Sequence, residues 1–157
     1  METDARPRDD GGRPWVIKLH RRLNAPPQRA FRAWADPDEL VRWLPSRIEG
    51  GLAVDTRSTL VWRDERVWWD VTEAEPDRLF TFRRPWSADE TLVTLVTVRI
   101  ETVGYGSRLH LEDGPFPVDQ PAALEGWKSA LEHWVWALAQ LRAYLDFSVD
   151  LRWRSGS

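Results

Sequence analysis

Tryptophan is the residue type in this sequence that most suggests a chemical role. The chain has 11 Trp among 157 residues, against 1 Met and 2 Tyr. An indole can bury about 150 to 250 Å², and its N–H needs a hydrogen-bond partner, so Trp is seldom wholly buried. A core of this size cannot easily absorb all of them. We therefore expect several to line a cavity, an interface or the surface, where they would stack on a flat or sterol-like ligand.

The three histidines offer no pattern typical of a metal site or a catalytic site. His20 and His110 fall on the polar faces of predicted strands, and His133 lies one position before an apolar helical stripe. No pair has the spacing of metal ligands. We interpret all three as surface residues and predict no metal.

A general acid or base would be a buried polar residue on a strand, and three positions come closest to that description. They are Asp70, Arg84 and Thr94. Thr94 lies on the same strand face as Leu92 and Val96 and should face inward, where it could hydrogen-bond a ligand or a carbonyl. The segment 83–86, Arg-Arg-Pro-Trp, is interpreted as a solvated strand end, with contact to an anionic head group as the alternative.

Motifs for the commonest hydrolases, kinases and dehydrogenases are absent from the sequence. We therefore predict no catalytic residue and no cofactor, and the sequence favours a protein that is not an enzyme.

Composition narrows the classes of partner. The chain has no Cys, which excludes disulfides, thiolate metal sites and cysteine nucleophiles. Its net charge is −3, with 25 acidic and 22 basic residues spread along the length, so we expect no nucleic-acid partner. No segment is apolar enough to be a transmembrane helix. We predict a cytoplasmic protein whose residues 1–14, rich in charge, Pro and Gly, form a disordered segment.

The elements that would position these residues follow from periodicity. Alternation predicts a strand over 15–23, and Pro and Asp signals predict short helices over 27–35 and from Pro37 through Trp43. From Ser46 onward apolar residues recur at every second position and turn residues recur between the runs. This pattern is typical of an antiparallel meander with one apolar face.

The last predicted element is a long amphipathic helix over about 121–146. Its apolar residues recur at steps of 4, 3, 4, 3 and 4, namely Trp127, Leu131, Trp134, Leu138, Leu141 and Leu145. A curved sheet that grips this helix would bury both apolar faces. We predict an α+β helix-grip fold with about six to seven antiparallel strands, one domain over 15–146 and a tail over 147–157.

The sequence resembles the START/birch-pollen-allergen superfamily (SRPBCC), in the branch similar to the C-terminal domain of the activator of the heat-shock-protein-90 ATPase. The matching features are Ala25-Pro26-Pro27, Phe31, Trp34, the segment 36–40 with Trp43, the segment 75–79, Ser107-Arg108-Leu109 and Gly126-Trp127. The resemblance implies the helix-grip fold. It leaves function open, because the superfamily carries lipid carriers, polyketide cyclases, self-resistance proteins and uncharacterised binders.

The predicted inward faces converge between the sheet and the long helix. We expect a cavity there for a lipid-, sterol- or polyketide-like molecule. The predicted ligand-binding residues are Trp34, Trp43, Trp62, Trp69, Phe80, Phe82, Thr94, Trp127, Leu131, Trp134 and Leu138.

Two alternatives remain open at this point. One is a polyketide cyclase or aromatase-like enzyme, which would need several convergent polar side chains, whereas the predicted inward faces are almost wholly apolar. The other is a protein-interaction or co-chaperone-like module that uses exposed indoles such as Trp136, Trp153 and one of Trp68 or Trp69. The protein would be a monomer or a homodimer.

Overall fold

A computed structural model describes residues 15–117 and 119–152. The predicted disordered segment over 1–14 lies outside the described residues, and so does Trp153. No helix in the described ranges combines the length and apolar composition needed to cross a membrane.

The described chain folds as a seven-stranded antiparallel sheet with a long C-terminal helix. The elements in chain order are β1 (Trp15–Leu23), α1 (Pro27–Ala35), α2 (Pro37–Leu40), β2 (Arg47–Glu49), β3 (Arg57–Val61), β4 (Arg66–Glu75), β5 (Leu79–Pro85), β6 (Val93–Val103), β7 (Gly106–Phe116) and α3 (Ala123–Phe147). The strand order is β1-β7-β6-β5-β4-β3-β2. This arrangement confirms the predicted α+β helix-grip fold.

The two short helices after β1 begin where the sequence predicts, but the second is shorter than predicted. Asp36 caps α2 by accepting a hydrogen bond from the backbone N–H of Asp38 at 3.0 Å. The helix ends at Leu40, and the chain then turns instead of continuing helically to Trp43. The Trp43 indole is held by a hydrogen bond from Nε1 to the Ala33 carbonyl at 2.8 Å, which ties this turn to α1.

Helix α3 buries its predicted stripe against the sheet. Of the six stripe residues, five are buried and Leu131 is partly buried. Gly126 allows the close approach, because a Cβ at this position would overlap the Leu92 side chain. At the other end of the helix, the Asp146 carboxylate accepts the backbone N–H of Asn24 at 3.0 Å. The helix is therefore fixed to the sheet near both ends.

Candidate ligand-binding site

Most of the predicted ligand-binding rings form one packed cluster between the sheet and α3. The Trp69 and Phe82 rings stack with centroids 3.7 Å apart. Trp34 meets Trp43 edge-on at 4.9 Å and lies 6.0 Å from Trp134. Such distances are those of aromatic pairs in direct contact.

Burial divides the eleven predicted residues into two groups. Nine are buried, namely Trp34, Trp43, Trp69, Phe80, Phe82, Thr94, Trp127, Trp134 and Leu138. Trp62 and Leu131 are partly buried. The structure thus brings the rings together as the inward periodicity predicts, and their contact with a ligand stays a prediction.

Two indoles of the cluster have unsatisfied donors. The Nε1 atoms of Trp34 and Trp69 are buried without a hydrogen-bond partner among the described residues. A buried donor without a partner lowers stability by about 1 to 3 kcal/mol. Close packing of the rings therefore outweighs the loss of two hydrogen bonds in this cluster.

A groove of about 370 Å³ opens beside this cluster, between the β3–β4 turn and α3. It is lined by Leu44, Trp62, Ser129, Glu132, His133, Trp136, Ala137 and Gln140. Only Trp62 belongs to the predicted set. The volume lies within the range of about 300 to 1,000 Å³ that is typical of small-molecule pockets.

The walls of the groove are held in place by hydrogen bonds to backbone carbonyls. The backbone N–H of Trp62 donates to the carbonyl of Glu65 at 2.9 Å and closes the β3–β4 turn. Gln140 on α3 donates from Nε2 to the carbonyl of Trp43 at 2.9 Å, which fixes the turn that carries Leu44. These two bonds fix the turns that carry Trp62 and Leu44 beside α3.

Trp136 and His133 give the α3 side of the groove two different surfaces. The Trp136 side chain is 62% exposed, so its ring is free to cover a ligand. The His133 imidazole meets the Trp62 indole edge-on at 5.8 Å and the Trp134 ring at 4.6 Å. His133 thus connects the groove to the buried ring cluster.

A buried polar network lies behind these rings, and sequence reasoning missed its central residue. Asp113 has no exposed surface. Its carboxylate accepts hydrogen bonds from the hydroxyl of Thr94 and from Nε1 of Trp134, the latter at 2.8 Å. Trp86 completes the network by donating from Nε1 to the Thr94 oxygen at 2.9 Å.

The signal for Asp113 was present in the sequence. It shares strand parity with Leu109 and Leu111, which are both buried, and so must point inward on β7. The prediction that the inward faces are almost wholly apolar is wrong for this reason, since Asp113, Thr94 and Arg84 all face the interior.

Arg84 is buried, so the prediction of a solvated strand end at 83–86 is wrong. Its position two residues after Phe82 puts it on the inner face of β5. The guanidinium lies over the Trp86 ring, with Cζ 3.4 Å from the centroid, and Nε donates to the Pro85 carbonyl at 3.2 Å. Its Nη1 is buried and has no partner among the described residues.

Burial dominates the electrostatics of this region. Desolvation raises the pKa of Asp113 to about 6, although the hydrogen bonds from Thr94 and Trp134 oppose the shift. Desolvation lowers the pKa of Arg84 to about 10, partly offset by the charges of Asp113 and Glu65. Burial, and then the Arg84 charge, hold the pKa of His133 well below its ordinary value. At neutral pH the imidazole is therefore uncharged.

The other polar candidates lie away from the interior. Asp70 faces outward and forms a two-pronged ion pair with Arg57, at 2.6 and 2.8 Å. His20 and His110 lie on the outer face of the sheet, where they are paired across β1 and β7. His133 departs from its predicted surface position, because its Nε2 is buried without a partner. No group of His, Cys, Asp and Glu able to hold a metal occurs within 15–117 and 119–152.

Comparison with solved structures supports the fold. A protein from Mesorhizobium loti is 19% identical with a TM-score of 0.73, over 83% of this chain and 96% of that chain. The Aha1 dimer from Colwellia psychrerythraea is 16% identical with a TM-score of 0.71, over 85% and 97%. DynU16, from the dynemicin biosynthetic locus, is 16% identical with a TM-score of 0.70, over 85% and 48%.

A comparison with curated proteins finds no match. The family model described as Activator of Hsp90 ATPase homolog 1-like protein matches residues 24–146, which include both short helices, β2 to β7 and nearly all of α3. The chain therefore belongs to the family of activator of Hsp90 ATPase homolog 1-like proteins.

Proposed function

We propose that this protein binds a hydrophobic small molecule that contains a ring, in the groove between the β3–β4 turn and α3. The observation that carries the proposal is the groove itself, with Trp62 on the sheet side and Trp136 on the helix side. A concave site with aromatic walls and a few polar groups is the usual form of a small-molecule pocket.

The two indoles favour a ring in a lining whose other half is polar, namely Ser129, Glu132, His133 and Gln140. Leu44 and Ala137 supply aliphatic contact beside the two indoles, and both are buried in the core beneath the groove. Indole faces stack on flat rings and retain affinity through apolar area. The Ser129 hydroxyl and the Gln140 amide oxygen could then orient the ligand, while Gln140 Nε2 is bonded to the Trp43 carbonyl.

The helix-grip fold is compatible with this function, since it packs a long helix against a curved sheet, and the groove lies along the middle of that helix, from Ser129 to Gln140. The buried ring cluster forms a firm base under the groove, because His133 and Trp134 join the two.

A fluorescence titration with N-phenyl-1-naphthylamine, a neutral apolar probe, tests the proposal. The parent protein should bind one probe saturably. Trp136→Ala should weaken binding by about tenfold or more, because one aromatic wall is lost while an exposed side chain is not needed for folding. Trp68→Ala is the matched control, since Trp68 lies on the outer face of β4 under Arg57.

The control should bind the probe like the parent. An absence of saturable binding, or equal loss in both variants, would refute a ligand site in this groove.

Exposed apolar residues on α3 favour a second candidate, a protein contact. Leu124, Val135 and Trp136 are all more than two fifths exposed. Exposed apolar patches of sufficient size mark interaction surfaces, and the related Aha1 from Colwellia psychrerythraea is a dimer. Sedimentation of the parent and of Trp136→Ala decides this: a dimer that dissociates in the variant would favour the protein contact.

A further inference from the structure

We propose that the ligand of the groove is an organic cation, an apolar ring that carries an ammonium group, and that Glu132 and the Trp136 indole together recognise the ammonium. This inference rests on the proposed function and adds the charge of the ligand. The ring of the ligand would lie between the indoles of Trp62 and Trp136, with the ammonium on the exposed side, next to Glu132.

Glu132 is the ionised residue of the groove. It is one of eight lining residues. The other seven carry no charge at neutral pH, since burial keeps the His133 imidazole uncharged. The Glu132 carboxylate forms no ion pair and no hydrogen bond with any other residue in the described ranges. A carboxylate with its full accepting capacity unused therefore borders the groove.

Lys128 does not neutralise this carboxylate. It lies one turn before Glu132 on α3 and is exposed, but its ammonium is more than 4.0 Å from the Glu132 oxygens. A Lys that precedes a Glu by four residues is also the less favourable order for such a pair in a helix. Lys128 is not among the residues that line the groove, so its charge acts from outside.

Trp136 lies where it can share a cation with Glu132. The two residues are four positions apart on α3 and both line the groove, so their Cβ atoms are about 5 to 6 Å apart. The Cα–Cβ bonds of a helix lean toward its N-terminus, which tilts the Trp136 side chain toward the turn that carries Glu132. The Trp136 side chain is 62% exposed, so the ring is accessible to a ligand.

Indole and carboxylate attract the same kind of group. A cation within about 6 Å of the centre of an indole ring is attracted by the negative face of the ring, and quaternary and other ammonium groups are bound in this way. The carboxylate adds the attraction of opposite charges. Both interactions are modest at an exposed position, so we expect a moderate preference for a cation.

The charges around the groove do not reverse this preference. Arg84 is buried behind the Trp86 ring, on which its guanidinium lies. The negative charges of Asp113 and Glu65 both act on Arg84 and offset it. The β3–β4 turn adds one basic and two acidic residues, in the segment 63–65. An anion would meet Glu132 unpaired, whereas a cation would pair with it.

The test compares two probes of nearly equal shape, naphthalen-2-ylmethanamine and naphthalen-2-ylmethanol, by isothermal titration calorimetry at pH 7 and 0.15 M salt. The amine is protonated at this pH, and the alcohol is neutral. The parent should bind the amine about threefold to thirtyfold more tightly than the alcohol, which is the range that one exposed ion pair and one cation–π contact give together. Saturation with N-phenyl-1-naphthylamine should abolish binding of the amine, because both occupy the groove.

Two variants assign the preference to residues. Glu132→Gln keeps the shape of the side chain and should lower the amine preference by about threefold, with the affinity for the alcohol little changed. Trp136→Leu keeps an apolar side chain but removes the ring face, and it should also lower the preference by about threefold. Both positions are exposed, so neither change should prevent folding.

Glu125→Gln is the matched control for charge. Glu125 is exposed on the same helix, two turns before Glu132, and does not line the groove. Seven residues of helix span about 10 Å, which exceeds the screening length of about 8 Å at this salt concentration. This variant has the same net charge as Glu132→Gln and should keep the preference of the parent.

The possible failures are distinguishable. If the parent binds both probes with equal affinity, the inference is wrong, while the groove stands as a ligand site. The inference is also wrong if the preference survives in Glu132→Gln or in Trp136→Leu, if it falls equally in Glu125→Gln, or if the amine still binds at saturating N-phenyl-1-naphthylamine. If neither probe binds, the proposed function itself fails.

Discussion

The Nε1 of Trp134 donates a hydrogen bond to Oδ2 of Asp113 at 2.8 Å, which joins the middle of α3 to β7 inside the fold. Both residues have no exposed surface. The bond gives a buried indole its partner and gives a buried carboxylate one of its two donors. It also places His133, the preceding residue of α3, at the boundary between the groove and the interior.

Truncation of Trp134 should be strongly destabilising. The ring packs against Trp34 and Phe82 at 6.0 and 6.2 Å. We expect Trp134→Ala to lower the free energy of unfolding by about 3 to 5 kcal/mol, because the lost burial and the new cavity add. A ring that lined an open pocket would give only about 1 to 2 kcal/mol, since it lacks partners on one side.

Urea unfolding of Trp134→Ala beside Trp136→Ala measures this. Trp136→Ala should change the free energy of unfolding by no more than about 0.5 kcal/mol, because Trp136 is exposed. If Trp134→Ala lowers the free energy of unfolding by less than about 2 kcal/mol, the ring borders empty space instead of packed neighbours.

The buried carboxyl of Asp113 should make the free energy of unfolding fall as pH rises, which is the opposite of what a carboxylate in an ion pair does. Its pKa is raised from 3.8 to about 6 in the folded protein. The contribution of Asp113 to the free energy of unfolding is therefore complete below pH 3.8, the pKa of this group in the unfolded chain. It is lost as pH rises through about 6, the pKa in the folded protein. This difference between the two pKa values corresponds to roughly 3 kcal/mol in the free energy of unfolding.

Asp113→Asn removes this titration. Its free energy of unfolding, relative to that of the parent, should rise as pH increases from about 4 to about 7. His133 has a lowered pKa and titrates with the opposite sign, but it is common to both proteins and cancels in the difference. A difference that is constant between pH 4 and 7 would show that Asp113 is not perturbed by burial.

Close approach of backbones at the start of β7 should make Gly106 intolerant of a side chain. A Cβ there would overlap the carbonyl oxygen of Leu23, which is backbone and cannot rotate away. We expect Gly106→Ala to lower the melting temperature by an amount equivalent to about 1 to 3 kcal/mol. Gly51→Ala is the control, because nothing lies within 4 Å of its added Cβ. Equal melting temperatures for the two variants would contradict the observed pairing of β1 and β7.

Sequence periodicity predicted the fold well because its signals are local. The alternation on β4 to β7 and the stripe on α3 each follow from which face is buried. The end of α2 was predicted too late, since apolar residues such as Trp43 are buried equally well from a turn that hydrogen-bonds to α1.

The candidate site was less accessible to sequence reasoning. Strand alternation places Arg84 and Asp113 on the inner face of the sheet, but charged residues are rarely buried, so their residue types argued against an inward position. Only the three-dimensional packing shows that Trp86 covers the Arg84 guanidinium. The groove joins the β3–β4 turn to α3 across about seventy residues of sequence, a proximity that no local pattern encodes.

A crystal structure of the protein with N-phenyl-1-naphthylamine bound tests the central claim most directly, because the electron density locates the rings of the probe on the molecule. We predict density for one naphthalene ring within about 4.5 Å of both Trp62 and Trp136, the distance of apolar side-chain contact. A ring bound elsewhere on the molecule, or a groove without ring density at saturating probe, would contradict the account.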